Sequence, residues 1–256
     1  MDEILSSFST ISLKEVQAAS LMRRKDSKYM FSFSHFPGLL EAVSKHYHIL
    51  EIEGNRTHHY QTFYYDTPCL DMYMMHHSGR VNRHKIRFRK YGSNDAVFLE
   101  VKKKNARGVT IKNRMQTKNG KAAIMSKEEE FLSSYTPYED LVMTPVLENS
   151  FNRITLVHPD QTERITLDYK LWFSSLTHEK SLEIPGVSIA EIKYSQHLSG
   201  SLFHAALRSA KITPRRFSKY CIGMAMLNPG LKQNLFKEKV RYLNKINNQY
   251  LQSTNK

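Results

Sequence analysis

Cysteine is scarce in this chain of 256 residues, which contains only Cys69 and Cys221. Neither belongs to a CxxC pair or lies near a histidine at metal-ligand spacing, so a disulfide framework is not expected. Apolar runs are short as well, and the longest, at about 221–227, cannot span a bilayer. The acidic N-terminus lacks the apolar core of a signal peptide. These absences predict a soluble, cytoplasmic protein without a transmembrane segment.

Proline and glycine are also few and scattered, with 8 and 10 residues, and no internal repeat divides the chain. We therefore expect one main domain at 23–228. A helical lead-in is predicted at 1–22. Residues 229–256 are predicted to contain a basic amphipathic helix. It packs on the domain or caps one mouth of a tunnel within it, with contact to a membrane surface as the alternative.

Positive charge is what the chain has in excess. Its 38 Lys and Arg residues against 24 Asp and Glu residues give a formal net charge of +14 at pH 7. Such a surplus favours a polyanionic partner, which means nucleic acid, anionic lipid or polyphosphate. Charge alone does not choose among the three.

The cations follow the two-residue period of β-strands. Arg83, Lys85, Arg87 and Arg89 fall on one face of a predicted strand, and Ile86 and Phe88 fall on the other. The next strand repeats the pattern with Glu100 and Lys102. Further candidates on the same kind of row are Lys112, Arg114, Arg153, Arg164, Asp168, Glu191 and Lys193.

One charged row would indicate the solvated face of an ordinary sheet. Rows on six strands call for another explanation, because like charges on neighbouring strands are destabilising without a bound anion or interleaved carboxylates. We therefore predict an α+β fold in which a closed antiparallel β-barrel forms a tunnel with a basic interior, flanked by helices. Its Arg forks and Lys ammonium groups suit phosphate, and its carboxylates suit Mg²⁺ or Mn²⁺.

Seven segments in order also resemble the motifs of the VTC domain, within the triphosphate tunnel metalloenzyme superfamily. They are Lys28-Tyr29, Tyr64-Tyr65-Asp66-Thr67, 86–92 (IRFRKYG), 98–102 (FLEVK), 164–168 (RITLD), Glu191-Ile192-Lys193-Tyr194 and Phe217-Ser218-Lys219-Tyr220. The resemblance covers roughly residues 20–225. Each motif is short, and their order carries the resemblance.

The resemblance implies a polymerase that transfers the γ-phosphate of ATP to a growing inorganic polyphosphate chain. The implied catalytic residues are Arg87, Arg89, Lys102, Arg153 and Lys219. Phosphate binding is expected of Lys28, Arg83, Lys85, Lys112, Arg114, Arg164 and Lys193. Glu191 is expected to hold the divalent metal, with Glu100 and Asp168 as further candidates, although Asp168 is more readily explained as orienting Arg164. The chain looks like a stand-alone member, without the second domain and transmembrane segments of the eukaryotic pattern.

Two alternatives remain at this level. A tunnel-type hydrolase of tripolyphosphate or nucleoside triphosphates would use the same cations, since water needs no binding residue of its own. A non-catalytic module for polyphosphate or RNA is the other, although no RNP motif, zinc finger or helix-turn-helix is present. The pairs His58-His59 and His76-His77 do not predict zinc, because adjacent strand residues point to opposite faces and no third ligand presents itself. Tyr29, Tyr65 and Tyr91 are candidates for contacting a base, with packing as the simpler explanation.

Overall fold

Antiparallel strands dominate the fold, which we describe from a computed structural model that covers residues 1–18, 25–92, 94–117, 124–138, 142–195 and 197–254. The strands are β1 (Ser9–Ser12), β2 (Lys25–Ser32), β3 (His48–Glu51), β4 (His58–Asp66), β5 (Arg83–Tyr91), β6 (Asn94–Lys104), β7 (Thr110–Thr117), β8 (Thr144–Val157), β9 (Glu163–Ser175), β10 (Ser181–Ile184) and β11 (Val187–Tyr194). The helices are α1 (Asp2–Ser6), α2 (Leu13–Ala18), α3 (Phe36–Glu41), α4 (Asp71–His77), α5 (Ser126–Tyr135), α6 (Leu202–Ser209), α7 (Lys219–Leu227) and α8 (Lys237–Thr254).

The strands form one sheet in the order β2-β11-β9-β8-β4-β5-β6-β7. Strand β1 pairs with β3 in parallel, β3 also pairs with β8, and β10 pairs with β9. The predicted helical lead-in therefore contains a strand that extends the sheet through β3. The predicted boundary after residue 22 lies outside the described residues.

The expected closed barrel is not confirmed, because no backbone pairing joins the end strands β2 and β7 in the part of the chain that the structure describes. The free edge of β2 is instead covered by another segment. The Arg215 amide donates to the Lys28 carbonyl at 2.7 Å, and Pro214 forms a bridge with Tyr29. The sheet is curved but open in its hydrogen bonding.

The outer face of the sheet is apolar and carries most of the helices. One core cluster joins Phe31 and Ile192 of the sheet to Phe203 and Leu207 of α6. A second joins Phe88 and Leu99 to Leu132 of α5. Because alternate residues of a strand point to opposite faces, the residues between these apolar ones point inward.

Helix α7 lies against the inner face and covers its apolar end. It packs on Met30, Leu147, Phe173 and Ile189, which lie at one end of the strands that carry the ionic residues. A bulge at Lys170, whose φ is +51°, turns Leu171 and Phe173 of β9 toward this helix. The interior is therefore ionic at one end of these strands and filled by α7 at the other.

Helix α8 packs next to α7 at the same end. Its Leu243 and Ile246 are buried in the cluster that contains Met30 and Val187. Asn247 accepts the Gly186 amide at 2.9 Å. These contacts anchor α8 to the turn that precedes β11.

Substituting Gly223 of α7 should weaken the packing of this helix against the inner face of the sheet. A Cβ atom at Gly223 would lie 2.6 Å from Phe173 Cδ1 and 2.8 Å from Leu147 Cδ2, both on buried rings or chains that cannot move away. We expect Gly223→Ala to reduce the free energy of unfolding by roughly 1–3 kcal/mol, as overpacking does. Chemical denaturation measures this. Gly38→Ala is the control, since nothing lies within 4 Å of its Cβ position, and equal stability of both variants would contradict the packing described.

Candidate active site

Strand register places every predicted site residue of the sheet on the inner face. Arg87 lies opposite Glu100, which lies opposite Arg114, and Lys102 lies between Lys85 and Lys112. On the same face, in the strands nearer to β2, Arg153 lies opposite Asp168, and Glu191 lies opposite Lys28. Arg164 pairs with Lys193, which shares the face of Glu191. Arg83 stands at the end of the β5 row, and Lys219 reaches the same interior from α7.

The carboxylate of Glu100 is the centre of the first ionic cluster. Its side chain is 1% exposed, and Arg87 donates to it from Nε at 2.7 Å. Lys112 also binds it, and Arg89 Nη1 lies 4.0 Å away. Burial alone would raise the pKa of Glu100, but the charges of Arg87, Arg89 and Lys112 hold it well below its usual value. Glu100 is therefore a structural counter-charge in the protein without ligand.

Asp168 is the centre of the second cluster. Arg153 holds it with two hydrogen bonds, from Nε at 2.6 Å and from Nη2 at 2.8 Å, and Lys219 of α7 also binds it. Burial favours the neutral acid, yet these two cations lower the pKa of Asp168 to about 2. From the sequence, Asp168 is expected to orient Arg164; in the structure Asp168 binds Arg153 and Lys219.

Glu191 forms the third cluster with Lys28 and Lys193. Lys28 binds one carboxylate oxygen, and Lys193 Nζ lies 3.4 Å from the other. Burial opposes ionisation, but Lys193, Lys28 and Arg153 hold the pKa of Glu191 well below its usual value. The carboxylate is ionised and faces the interior, as a metal ligand would have to be.

The two ends of the sheet face each other across the interior. Lys102 belongs to β6, whereas Glu191 and Lys28 belong to β11 and β2, yet the charges of both act on the Lys102 ammonium group. The charges of Arg153 and Arg89 likewise act on the Lys219 ammonium group. A ligand in this space would touch cations from both sides.

Several lysines of the interior are costly to keep charged. Burial lowers the pKa of Lys85, Lys112, Lys193 and Lys219 to about 8. Glu191 and Asp168 offset only part of that effect for the last two. Lys85 has a hydroxyl partner instead and donates to Ser218 Oγ at 2.8 Å. A bound polyanion would supply the missing counter-charge and raise these pKa values.

The pKa values give two opposite pH trends. Above about pH 8 the ligand-free lysines lose their protons, so tripolyphosphate binding should require proton uptake and weaken steadily toward pH 9. Stability without ligand should rise over the same range, because the unfolded lysines bind more protons than the folded ones. Calorimetric titration and chemical denaturation across this range measure both, and a tripolyphosphate affinity that does not change between pH 7 and pH 9 would contradict the assignment.

An aromatic row crosses the inner face where Lys219, the first residue of α7, lies 4.2 Å from the Phe151 ring centre, and the sequence interpretation missed most of it. Tyr60 stacks on Phe151 at 5.2 Å and meets Tyr91 edge-on at 5.1 Å, and Tyr91 meets Phe98. The Arg153 guanidinium lies 4.8 Å from the Tyr60 ring centre. The rings hold the arginines in place beside the carboxylates. Only the shared strand parity of Tyr60, Phe98 and Phe151 with the cations could have indicated them.

Of the three tyrosines predicted as candidates for a base, two are packing residues. Tyr29 and Tyr65 are buried in the outer-face clusters, with 0% and 3% of their surfaces exposed. Tyr91 alone lies in the aromatic row of the interior.

Asp66 has a structural role in the motif Tyr64-Tyr65-Asp66-Thr67. This buried carboxylate accepts hydrogen bonds from the backbone amides of Thr67, Met72 and Tyr73. Met72 and Tyr73 lie in the first turn of α4. The carboxylate also accepts the hydroxyl of Tyr220 from α7. The motif around Asp66 thus ties α4, β4 and α7 together outside the ionic interior.

A divalent metal fits the interior only with help from the ligand. Among the described residues no three His, Cys, Asp or Glu side chains form a group that could hold a metal ion. Glu191 provides one ionised carboxylate, and Mg²⁺ is commonly held by one or two carboxylates together with phosphate oxygens. The residues present fit a metal that arrives with a polyphosphate or nucleotide.

The sequence profile of the VTC domain matches residues 23–228. The chain belongs to the VTC domain family. A search of curated protein sequences gives no match. Within the described residues no helix is long and apolar enough to cross a bilayer.

Solved structures with a similar fold have little sequence in common with this chain. The putative adenylyl cyclase HpAC1 from Hippeastrum has a TM-score of 0.50 at 15% identity, over 80% of this chain and 97% of that one. The PH1819 protein from Pyrococcus horikoshii OT3 has a TM-score of 0.46 at 14% identity, over 79% and 96%. At such identities the likeness to HpAC1 shows a shared fold and nothing more.

Proposed function

We propose that this protein is a polyphosphate polymerase, which transfers the γ-phosphate of ATP to a growing inorganic polyphosphate chain. The observation that carries the proposal is the meeting of three cation-carboxylate clusters on one inner face of a VTC domain. The VTC family binds nucleotide triphosphates and polyphosphate in general. The predicted site residues comprise twelve cations and three carboxylates, and Asp26, opposite Lys193, adds one more carboxylate to that face. The large excess of cations remains for phosphate.

Arg87, Arg89, Lys102 and Arg153 form the triphosphate clamp in this proposal. Each Arg presents a planar fork that can hold two phosphate oxygens, and stacking on Tyr60 limits the freedom of Arg153 and Arg89. Arg87 and Arg153 are now held by carboxylates, which keep their side chains extended into the interior. A triphosphate would share these cations with Glu100 and Asp168.

Lys28 and Lys219 are assigned to the reacting and acceptor phosphates. Lys28 binds Glu191, and Lys219 binds Asp168, which also holds Arg153. Phosphoryl transfer needs in-line positioning and charge stabilisation more than a nucleophilic side chain, because the terminal phosphate of the polymer is itself the nucleophile. The γ-phosphate bond to ADP breaks as the bond to the polymer forms.

Glu191 would hold a Mn²⁺ or Mg²⁺ ion together with phosphate oxygens. Such an ion, when bound, neutralises charge that develops on the transferred phosphoryl group. Without the ion, Lys28 and Lys193 pair with the Glu191 carboxylate. With the ion bound, their ammonium groups would pair with phosphate instead.

Hydrolysis of tripolyphosphate or nucleoside triphosphates is the second candidate. It is supported by the fold shared with HpAC1, whose structure is described as revealing a dominant triphosphatase activity of that protein. The same clamp would serve, with water as the acceptor.

Product analysis separates the candidates. Purified protein is incubated with ATP and Mn²⁺ or Mg²⁺, with and without a short polyphosphate primer, and the products are resolved on a polyphosphate-stained gel beside an ADP assay. A metal-dependent ladder with matching ADP is expected. ADP and orthophosphate without a ladder would replace the polymerase by the hydrolase, and tight polyphosphate binding without turnover would replace both by a binding module.

A further inference from the structure

A small cavity lies outside the basic interior, on the outer face of the sheet beside the turn that joins β8 to β9. It has a volume of about 110 Å³ and is lined by Glu163 and Tyr194, which lie opposite each other on β9 and β11. These residues alternate with Arg164 and Lys193, which face the interior. The side chains of His158, Asp160, His197 and Ser201 also line the cavity. No lysine or arginine is among the described residues that line it, although the chain has a net charge of +14.

Glu163 provides the buried carboxylate of this cavity. It is 6% exposed, and two hydroxyl groups, Tyr47 Oη and Ser201 Oγ, donate to the same carboxylate oxygen, Oε1, at 2.9 Å each. Among the residues that the structure describes, no donor bonds to the second oxygen, Oε2. A carboxylate can accept about four hydrogen bonds, and a buried acceptor without a donor is costly. One oxygen of a buried carboxylate is therefore left for a group that enters the cavity.

Asp160 adds a second carboxylate beside the first. Its Oδ1 is engaged within the turn, by His158 Nδ1 at 2.6 Å and by Thr162 Oγ1 at 2.7 Å. Burial raises the pKa of Glu163, the two hydroxyl groups and His158 oppose that rise, and the charge of Asp160 adds to it. The two carboxylates thus act on each other, and a cation between them would relieve their repulsion.

The geometry of the acceptors favours an ammonium group over other cations. Within the described residues no group of three His, Cys, Asp or Glu side chains could hold a metal ion. A guanidinium binds best to both oxygens of one carboxylate, but Oε1 of Glu163 already accepts two hydrogen bonds. An ammonium group is a compact charge with three donors and needs only one oxygen from each carboxylate. Since a water molecule occupies about 30 Å³ of the liquid, the cavity has room for such a group and a few carbon atoms.

We propose that this cavity binds a primary ammonium group, with Oε2 of Glu163 as its main acceptor and Asp160 as its second. A free aliphatic amine and the lysine side chain of another protein both carry this group. The proposal does not depend on the reaction proposed above, because Glu163 and Asp160 belong to none of the ionic clusters of the interior. The positive net charge disfavours cations on most of the surface, so saturable amine binding requires a local acidic site such as this one.

Calorimetric titration of the full chain with n-butylamine tests the proposal. We expect saturable binding to one site. Butan-1-ol has nearly the same shape without the charge, and n-butylguanidine has a planar cation in place of the ammonium group. Both should bind at least about tenfold more weakly than butylamine.

Two variants locate the binding site. Glu163→Gln removes the charge but keeps an oxygen for Tyr47 and Ser201, and it should weaken butylamine binding at least about tenfold. Asp160→Asn should weaken it about threefold; because this side chain is 54% exposed, the variant should fold even if Glu163→Gln does not. The matched control is Glu183→Gln, an exposed residue of β10, which should bind butylamine like the original protein. The imidazole NMR signals of His158 and His197 should shift when butylamine is added to the original protein.

Each remaining outcome decides a part of the proposal. Absence of saturable butylamine binding, or unchanged affinity in both variants, would overturn it. Equal binding of butan-1-ol would show that the cavity does not recognise charge, and equal or tighter binding of butylguanidine would replace the ammonium group by a guanidinium. A lysine with its α-amino and carboxyl groups blocked serves as a further probe. If it binds more tightly than butylamine, the ammonium group belongs to a partner protein, and the reverse order identifies a free amine.

Discussion

A Glu191→Gln variant should fold normally and lose polyphosphate synthesis by a factor of at least about 100. The substitution keeps the size of the side chain but removes the ionised carboxylate between Lys28 and Lys193 that we assign to the metal. Metal-free binding of tripolyphosphate should persist or strengthen, because a negative charge has left the phosphate path. Synthesis is measured as ADP release and polymer formation across a Mn²⁺ titration.

The matched control for this variant is Glu148→Gln. Glu148 contacts Gln61 and lies on the outer face of β8, away from Arg153 and Phe151. This control should keep full activity. A folded Glu191→Gln protein with undiminished synthesis and the original Mn²⁺ dependence would show that Glu191 is not the metal ligand.

A Glu100→Gln variant should lose stability, and tripolyphosphate should restore it. Removing this buried carboxylate leaves Arg87, Arg89 and Lys112 around a neutral amide. We expect the free energy of unfolding to fall by roughly 3 kcal/mol, the low end for a broken buried pair, because Arg87 keeps some contact with water. Since a bound anion stabilises the folded state by mass action, saturating tripolyphosphate should recover much of the loss.

Chemical denaturation with and without tripolyphosphate measures both effects. Glu51→Gln serves as the control, since Glu51 pairs with Arg56 where both side chains are partly exposed and such pairs contribute little. If Glu100→Gln and the original protein were equally stable and gained equally from tripolyphosphate, Glu100 would not be the counter-charge that the geometry indicates.

The inner face was predictable because its signal is local. The period of two predicts strands at 81–91 and 96–103 and the face that carries their charges, and the structure places β5 and β6 at Arg83–Tyr91 and Asn94–Lys104. The pairing of Arg87 with Glu100 follows from one hairpin. The pairing of Asp168 with Lys219 does not, because it joins a strand to a helix that only the tertiary fold brings together.

Helix α7 shows why other features were missed. Its sequence KYCIGMAML is buried on nearly all sides, so it has no polar face and no helical periodicity to read. The bulge at Lys170 changes which residues of β9 face inward, and strand parity cannot predict that change. Closure of the sheet also depends on distant segments, since residues 214–215 occupy the edge of β2. In each case the missing information is tertiary.

The fate of the γ-phosphate tests the central claim most directly. ATP labelled in that position is incubated with the protein, a divalent metal and a polyphosphate primer, and the label is followed into polymer and orthophosphate. Transfer predicts that label enters the polymer in an amount equal to the ADP released. Label found only in orthophosphate, with equal ADP, would contradict the polymerase and establish a hydrolase in the same basic interior.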